Sequence, residues 1–503
     1  MVENNTQQLY QQYLEITQKA ADFNNAAAVL GWDQEVYMPP KGFAFRGRQL
    51  ATLVGQAHEL VTSDRYGSLL SELAGKDGLS DEEHHNVRLS LEDFEKNRKL
   101  SNAFVEELTR QTSNSYNAWM KAREQKDFSI YAGELEKMIA LKKKQAELYG
   151  YDITPYDALL DDYEKGASVA MLDPIFRNVK EQLTPFLKTI TTKEQVNDSF
   201  FYQPFPRQQQ WDFSLSVLKQ MGYDFEAGRQ DYSEHPFSTS FAPTDVRVTT
   251  RVSEDNLASL LWSSIHEGGH ALYEQGLPES QYGLPLGAAV SLSIHESQSR
   301  LWENCVGRSL PFWKYFYPRL QQLFPHQLGN ISVEQFYKAT SKVEPSLIRT
   351  EADELTYHFH VMIRYDIEKA LLNNEIKPAD LSGVWNDSYR QYFGIDADDD
   401  KKGVLQDVHW SHGSFGYFPT YSLGSFYAAQ FFDKAKEDIP GLIQQIESGA
   451  FAPLLQWLRV NVHQHGRRYR SDELCTKITG RGLDFSSFMN YAQKKYSDIY
   501  GIT

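Results

Sequence analysis

Residues His266-Glu267-Gly268-Gly269-His270 sit inside a stretch whose apolar spacing is helical. Leu257, Leu260, Leu261 and Ile265 precede them, Ala271, Leu272 and Tyr273 follow, and Gly276 stands where a helix stops. Two histidines four apart lie on one helix face, about one turn from each other. Both imidazoles can then reach one zinc ion at about 2.0–2.1 Å. Glu267, beside the first histidine, is placed to take a proton from zinc-bound water. Five residues alone also fit a helix with two inward histidines and no metal; the apolar surroundings favour the metal.

A catalytic zinc needs a third protein ligand and an open position for water. The next His/Glu cluster is His295-Glu296, inside an apolar, helix-compatible run from Ala288 to Trp302. Glu296 follows His270 by 26 positions, and the Pro- and Gly-bearing segment from Gly276 to Gly287 supplies a turn between antiparallel helices. His, His and Glu from two helices are the glutamate-ligand set of a zinc peptidase. His295 projects about 100° away from Glu296 on a helix and is not counted as a ligand. The competing reading of Glu296 is a partly buried carboxylate paired with Arg300.

Composition narrows the class. The 503 residues carry no Ser/Gly-rich or Pro-rich linker, so the chain reads as one two-lobed unit, with an N-terminal helical lobe over roughly 1–150 and the motifs within 235–421. The net charge of −16 argues against nucleic acid and anionic membranes as partners. Two cysteines, Cys305 and Cys475, imply no disulfide framework and a reducing compartment. The polar N-terminus lacks a signal-peptide core, and no apolar run is long enough to span a membrane. A cytoplasmic location is expected.

Helical patterns cover 4–30, 43–63, 80–98, 100–126 and 128–149. In the last, Leu135, Met138, Ile139, Ala146 and Tyr149 share a stripe, and Gly150 is the stop. Residues 240–252 alternate and are rich in Val and Thr, a strand just before the zinc helix. The acidic run Asp396 to Asp400 mimics a calcium loop, but Lys401 stands where that loop needs Gly and Asp407 where it needs Glu. A solvated loop is the better reading.

Further motifs carry a resemblance. His235-Pro236-Phe237, Asp245-Val246-Arg247-Val248-Thr249, Ile348-Arg349-Thr350-Glu351-Ala352-Asp353 and Gly403 to Trp410 join the two clusters above. In order, they resemble the motifs HPF, DxRxT, HExxH, HES/GQ, IRxxAD and GxxQDxHW of the carboxypeptidase Taq family of zinc carboxypeptidases. Trp32-Asp33 and Met38-Pro39-Pro40 look like that family's N-terminal region, so the resemblance covers nearly the whole chain. It implies a mainly α, two-lobed fold with a deep central groove and a small β-sheet near the zinc helix, similar to neurolysin and angiotensin-converting enzyme. It also implies peptide substrates trimmed from the C-terminus, one Zn²⁺ per chain with Co²⁺ able to substitute, and a homodimer. In related peptidases an edge strand before the zinc helix pairs with the substrate backbone.

The segment His409 to Tyr421 completes the candidate set. The spacing of His412, Tyr417 and Tyr421 resembles the His/Tyr loop of thimet-oligopeptidase-like enzymes, which makes His412 and Tyr421 the first candidates for oxyanion donors. Tyr417 reads equally as groove wall. His409 is a candidate substrate-carboxylate contact, and Asp407 a candidate partner for a zinc histidine. Some relatives carry an acid four residues after the ligand glutamate; here that position is Arg300. Capture of a terminal carboxylate needs a cation, ideally a forked guanidinium. Arg349 and Arg247 are the candidates, each also readable as an ion-pair partner, of Asp353 and Asp245 respectively; the resemblance favours Arg349. The alternative activity is a zinc oligopeptidase cutting internal bonds, and the non-enzymatic alternative is a scaffold that keeps the fold. The intact Glu267 argues against the scaffold.

Overall fold

Local signals set the helices. Ser80 opens Asp81–Asn97 with a full capping box, its hydroxyl accepting from the Glu83 N–H while the Glu83 carboxylate accepts from the Ser80 N–H. Gly150 ends Ser129–Tyr149 at φ +83°, a conformation that strains any residue with a Cβ. On that helix Leu135, Met138, Ile139 and Ala146 are buried, as their stripe predicts, and Tyr149 is half-buried. The computed structural model describes residues 2–502. Helix accounts for 69% and strand for 4%, a mainly α chain. The helices expected over 4–30, 43–63, 80–98 and 100–126 run from Val2–Val36, Phe43–Thr62, Asp81–Asn97 and Asn102–Gln125.

The chain forms two compact units, each built from three segments. Unit 1 comprises Met1–Arg98, Asn197–Thr340 and Gln430–Gly482; unit 2 comprises Lys99–Val196, Ser341–Ala429 and Leu483–Thr503. The N-terminal lobe expected over roughly 1–150 coincides with neither, because the helices Asn102–Gln125 and Ser129–Tyr149 belong to unit 2. A chain that crosses repeatedly leaves no linker for composition to reveal.

Unit 1 contains the sheet. It has three strands, β1 (Gly228–Tyr232), β2 (Ser238–Ala242) and β3 (Asp245–Thr250), in the order β1-β3-β2. β1 runs parallel to β3, and β2 pairs antiparallel with it, Thr239 facing Arg247. The single strand expected over 240–252 is therefore a hairpin, broken at Pro243-Thr244 because proline cannot donate to a ladder. Val246, Val248 and Thr250 are buried on alternate positions, and Thr250 reaches Ser263 of the next helix at 2.6 Å. The HPF and DxRxT segments are part of this scaffold. The Thr249 hydroxyl accepts from the Phe237 N–H at 2.9 Å and from Ser233 at 2.7 Å, and donates to the Phe237 carbonyl at 3.1 Å.

Candidate active site

Helix Leu257–Glu274 begins at Asn256, whose side chain accepts from the Ala258 N–H. Leu257, Leu260, Leu261 and Ile265 are buried, which turns His266 and His270 to the opposite, half-buried side. The two glycines between the histidines allow close packing on both flanks. A Cβ on Gly269 would stand 2.6 Å from Ser299 Cα and 2.8 Å from the Gln298 carbonyl oxygen, and one on Gly268 would stand 2.4 Å from a Leu218 methyl. The HEGGH helix and the helix after it can therefore approach almost backbone to backbone.

That second helix, Leu292–Arg300, is capped by Ser291, whose hydroxyl accepts from the Ile294 N–H. It starts four residues later than the apolar run suggested and continues directly into a π-helix, Leu301–Gly307. The wide turn brings Glu303 onto the site. One oxygen of Glu296 accepts from Arg300 Nε at 2.6 Å; the other lies 3.4 Å from His270 Nε2 and 3.8 Å from His266 Nε2. The ion-pair reading and the ligand reading of Glu296 thus both hold, one per oxygen. A tetrahedral ion with ligand distances of about 2.0–2.1 Å needs its donor atoms roughly 3.3 Å apart. The Glu296 oxygen stands near that spacing from both histidines, and among the described residues His266, His270 and Glu296 are the one group of three such donors that converges, all within 4.8 Å.

Electrostatics agree with a cation site. Burial pushes Glu296 up, but Arg300 and both histidines outweigh it and hold the carboxyl well below its usual range. Burial likewise raises Glu303, and Arg300, His266 and Arg308 reverse it. Burial lowers His266, but the Glu296 and Glu303 carboxylates raise it on balance. Burial takes His270 down to about 4, so its ring offers a lone pair. Glu267, buried beside the histidines, is pushed up to about 7 by burial, against the His266 charge and a contact with the Ser238 hydroxyl. A carboxyl titrating there suits a group that takes and returns protons near neutral pH.

Sequence reasoning left open which acid stands behind the candidate metal histidines. Behind His266 it is Glu303, whose carboxylate lies 2.9 Å from His266 Nδ1 and is braced by Arg300 at 3.2 Å and Arg308 at 3.0 Å. Its signal was its place seven residues after Glu296, two helical turns on and hence on the same face. Asp407, the candidate for that role, lies in unit 2 and is committed elsewhere.

In unit 2, Asp407 accepts from Arg349 Nε at 3.0 Å and Nη2 at 2.8 Å, and from Arg364 Nε at 2.6 Å. The partner of Arg349 is thus Asp407, not Asp353, which instead caps the segment at Leu355 and Thr356. Arg349 Nη1 also donates to the Tyr357 hydroxyl at 2.7 Å. Three of the expected residues gather beside this cluster. His409 Nε2 and the Tyr421 hydroxyl are 3.1 Å apart, the Arg349 guanidinium lies 4.8 Å over the Tyr421 ring, and the Tyr417 ring packs at a tilt 5.2 Å from that of Tyr421. Burial and Arg349 push His409 down to about 3, so it is neutral. His412 is exposed and stacks on Tyr116 at 5.2 Å, apart from that group. In unit 1, Arg247 forms the expected fork with Asp245, both bonds at 2.8 Å, and is sandwiched between Trp32 at 4.5 Å and Phe241 at 4.9 Å. The acidic run is likewise spoken for: Asp396 pairs with Arg390, Asp398 with Lys402, Asp399 with Lys126, and Asp400 accepts from the Phe128 N–H and Ser382.

The profile of the family described as carboxypeptidase Taq (M32) metallopeptidase matches residues 12–496. The chain belongs to that family. Thermostable carboxypeptidase 1 of Thermus thermophilus is 42% identical over 506 residues, covering 98% of this chain and 99% of its own. Carboxypeptidase 1 of Bacillus subtilis is 39% identical, covering 97% and 98%. The crystal structure of the M32 carboxypeptidase from Deinococcus radiodurans R1 superposes with a TM-score of 0.96 at 38% identity, covering 98% of this chain and 100% of its own. The protein is accordingly an M32 metallocarboxypeptidase, a peptide hydrolase that requires a divalent metal. Among the described residues of this M32 chain, no helix is long and apolar enough to cross a membrane.

Proposed function

We propose that this M32 enzyme is a zinc carboxypeptidase in which His266, His270 and Glu296 hold the metal and Glu267 is the general base. The carrying observation is the convergence of the three donors within 4.8 Å of one another, with Glu267 buried beside them. Two imidazoles and one carboxylate are a donor set suited to zinc. When bound, the metal supplies a Lewis acid that polarises a carbonyl and acidifies water. Glu267 takes the proton from the attacking water and returns it to the leaving amine. Glu303 and Arg300 hold the histidine and glutamate side chains in place.

Release of a C-terminal residue requires recognition of its carboxylate, and we assign that role to Arg349. Two guanidiniums, Arg349 and Arg364, face the single carboxylate of Asp407. With His409 neutral, that buried cluster carries one uncompensated positive charge, which an arriving anion would balance. Arg247, forked to Asp245 and stacked between two rings, is the weaker candidate. Tyr421 is our oxyanion donor, with His409 against its hydroxyl; His412, exposed on Tyr116, is less suited, and Tyr417 is assigned to the wall. One observation favours the second reading, a zinc oligopeptidase: Arg349 already donates to Asp407 and Tyr357.

We further propose a cytoplasmic homodimer acting on free peptides, in which Co²⁺ can replace Zn²⁺. Cys305 and Cys475 are buried thiols outside any disulfide, as a reducing compartment allows. Mass spectrometry of a peptide mixture, each peptide present as free acid and as C-terminal amide, tests the activity. Stepwise loss of terminal residues from the acids alone is expected. Internal cutting of the amides at comparable rates would establish the oligopeptidase instead.

A further inference from the structure

The two metal histidines are held differently. His266 Nδ1 faces a carboxylate directly, that of Glu303. His270 Nδ1 faces a second imidazole: it lies 2.6 Å from His295 Nδ1, and His295 Nε2 in turn lies 2.8 Å from a Glu274 carboxylate oxygen. We propose that His295 and Glu274 are positioning residues, a hydrogen-bonded relay that fixes the tautomer of His270 and so keeps its Nε2 bare for the metal. The proposal rests on the metal assignment made above.

The direction of the relay follows from what each group can donate. A neutral imidazole has one N–H and one bare nitrogen, and a carboxylate only accepts. With His270 Nε2 given to the metal, the proton between the two rings sits on His270 Nδ1, so His295 accepts at Nδ1 and donates from Nε2 to Glu274. The short contact to His270 can hold only that one proton. His270 Nε2, the bare nitrogen, is the atom 3.4 Å from the ligand oxygen of Glu296. The opposite direction, with His295 donating from Nδ1, would place a proton on His270 Nε2 where the metal belongs.

Sequence and fold build the relay from two neighbours of known ligands. Glu274 lies one helical turn after His270 and shares its face. His295 precedes Glu296 and points about 100° away from it, the property that disqualified it as a ligand. Its ring packs at a tilt against His270 with centroids 4.6 Å apart and against Tyr273 at 5.3 Å. The Ser240 hydroxyl of β2 also contacts the Glu274 carboxylate. Glu274 and His295 also line a cavity of about 660 Å³ in unit 1.

The test separates hydrogen bonding from packing. His295→Phe keeps a ring packed there but removes the acceptor; His295→Asn loses the ring but places its Oδ1 near the position of the lost Nδ1. Zinc affinity is measured on the full-length protein by competition with a chelating indicator, together with the visible absorption of the Co²⁺ form and the melting of the metal-free proteins. His295→Phe should weaken zinc by about 10–100-fold and alter the cobalt spectrum, the usual effect of losing a histidine's outer partner. His295→Asn should recover most of both, and Glu274→Ala, which leaves the His295 tautomer free, should weaken zinc at least several-fold. Zinc affinity of His295→Phe within twofold of wild type overturns the relay, as does equal loss in the Phe and Asn variants. Should His295→Phe melt well below the others when metal-free, Glu274→Ala decides in its place, and wild-type affinity there overturns the relay. Wild-type protein that takes up no zinc defeats the metal assignment itself; tight wild-type binding unaffected by the variants defeats only the relay.

Discussion

Asp407→Asn should be among the most destabilising single substitutions in unit 2. Its carboxylate accepts three N–H groups from Arg349 and Arg364, which are 5% and 0% exposed. Burial works against the charge, but the two guanidiniums outweigh it and hold Asp407 far below its usual range. Asparagine keeps one acceptor oxygen and turns an NH₂ toward a guanidinium, leaving buried positive charge unbalanced. Removing one partner of a buried pair costs about 3–5 kcal/mol. For a unit of roughly 200 residues, about 2–4 °C per kcal/mol translates this into a drop of roughly 6–20 °C. Scanning calorimetry is the assay, because it resolves the transitions of the two units if they melt separately. The loss depends on pH with a definite sign. A depressed carboxyl stabilises the fold fully above its unfolded pKa of about 4, and the contribution fades only below that. The difference between wild type and Asp407→Asn should therefore be constant from pH 5 to 8 and narrow below pH 4. A shift under about 2 °C at pH 7 would refute the claim that this cluster is a buried, charge-dependent keystone.

Four further outcomes follow from the same geometry. Chelation should abolish hydrolysis, and Zn²⁺ or Co²⁺ should restore it; full turnover in rigorously metal-free protein contradicts the ligand set. Glu267→Gln should retain zinc, checked by metal analysis, yet lose at least about 10²–10⁴-fold in kcat. Arg349→Ala should lower kcat/KM for free-acid peptides by about 2–4 kcal/mol, with little change for amidated ones; equal loss on both makes Arg349 purely structural. Glu368 is wholly buried among Tyr156, Trp410 and the Gly416 N–H, and burial pushes it up to about 7. Because its folded value is raised, its contribution of about 3 kcal/mol is complete below pH 4.5 and lost as pH rises to about 7, so Glu368→Gln should flatten the fall in Tm between pH 5 and 8.

What the sequence made legible is what short-range periodicity encodes. The HEGGH helix, its glycine-bearing exit and the next glutamate all rest on spacings of one or two turns, and the structure places them together. Glu303 was within reach of the same rule, yet nothing in the sequence marks the π-helix that aims it, since a change from 3.6 residues per turn is a tertiary effect. Contacts across long stretches of chain were not legible. Arg349 and Asp407 are 58 positions apart, and an arginine three residues before Asp353 pairs more naturally on paper with its neighbour; burial selects the distant partner because it also satisfies Arg364. His412 shows the converse. Its place in a His/Tyr loop suggested a role beside Tyr421, but Gly413 at φ +72° turns the chain just after it, and its ring ends on Tyr116. His295 is the most instructive of these positions. Angular reasoning left it off the list of ligands, and the same angle carries it to the back of His270, where Glu274 stands one turn along. A residue excluded from the first ring of a metal by helix geometry is, by that geometry, a candidate for the second. The HEGGH spacing therefore constrains not two side chains but four, and the relay variants measure whether the outer two matter.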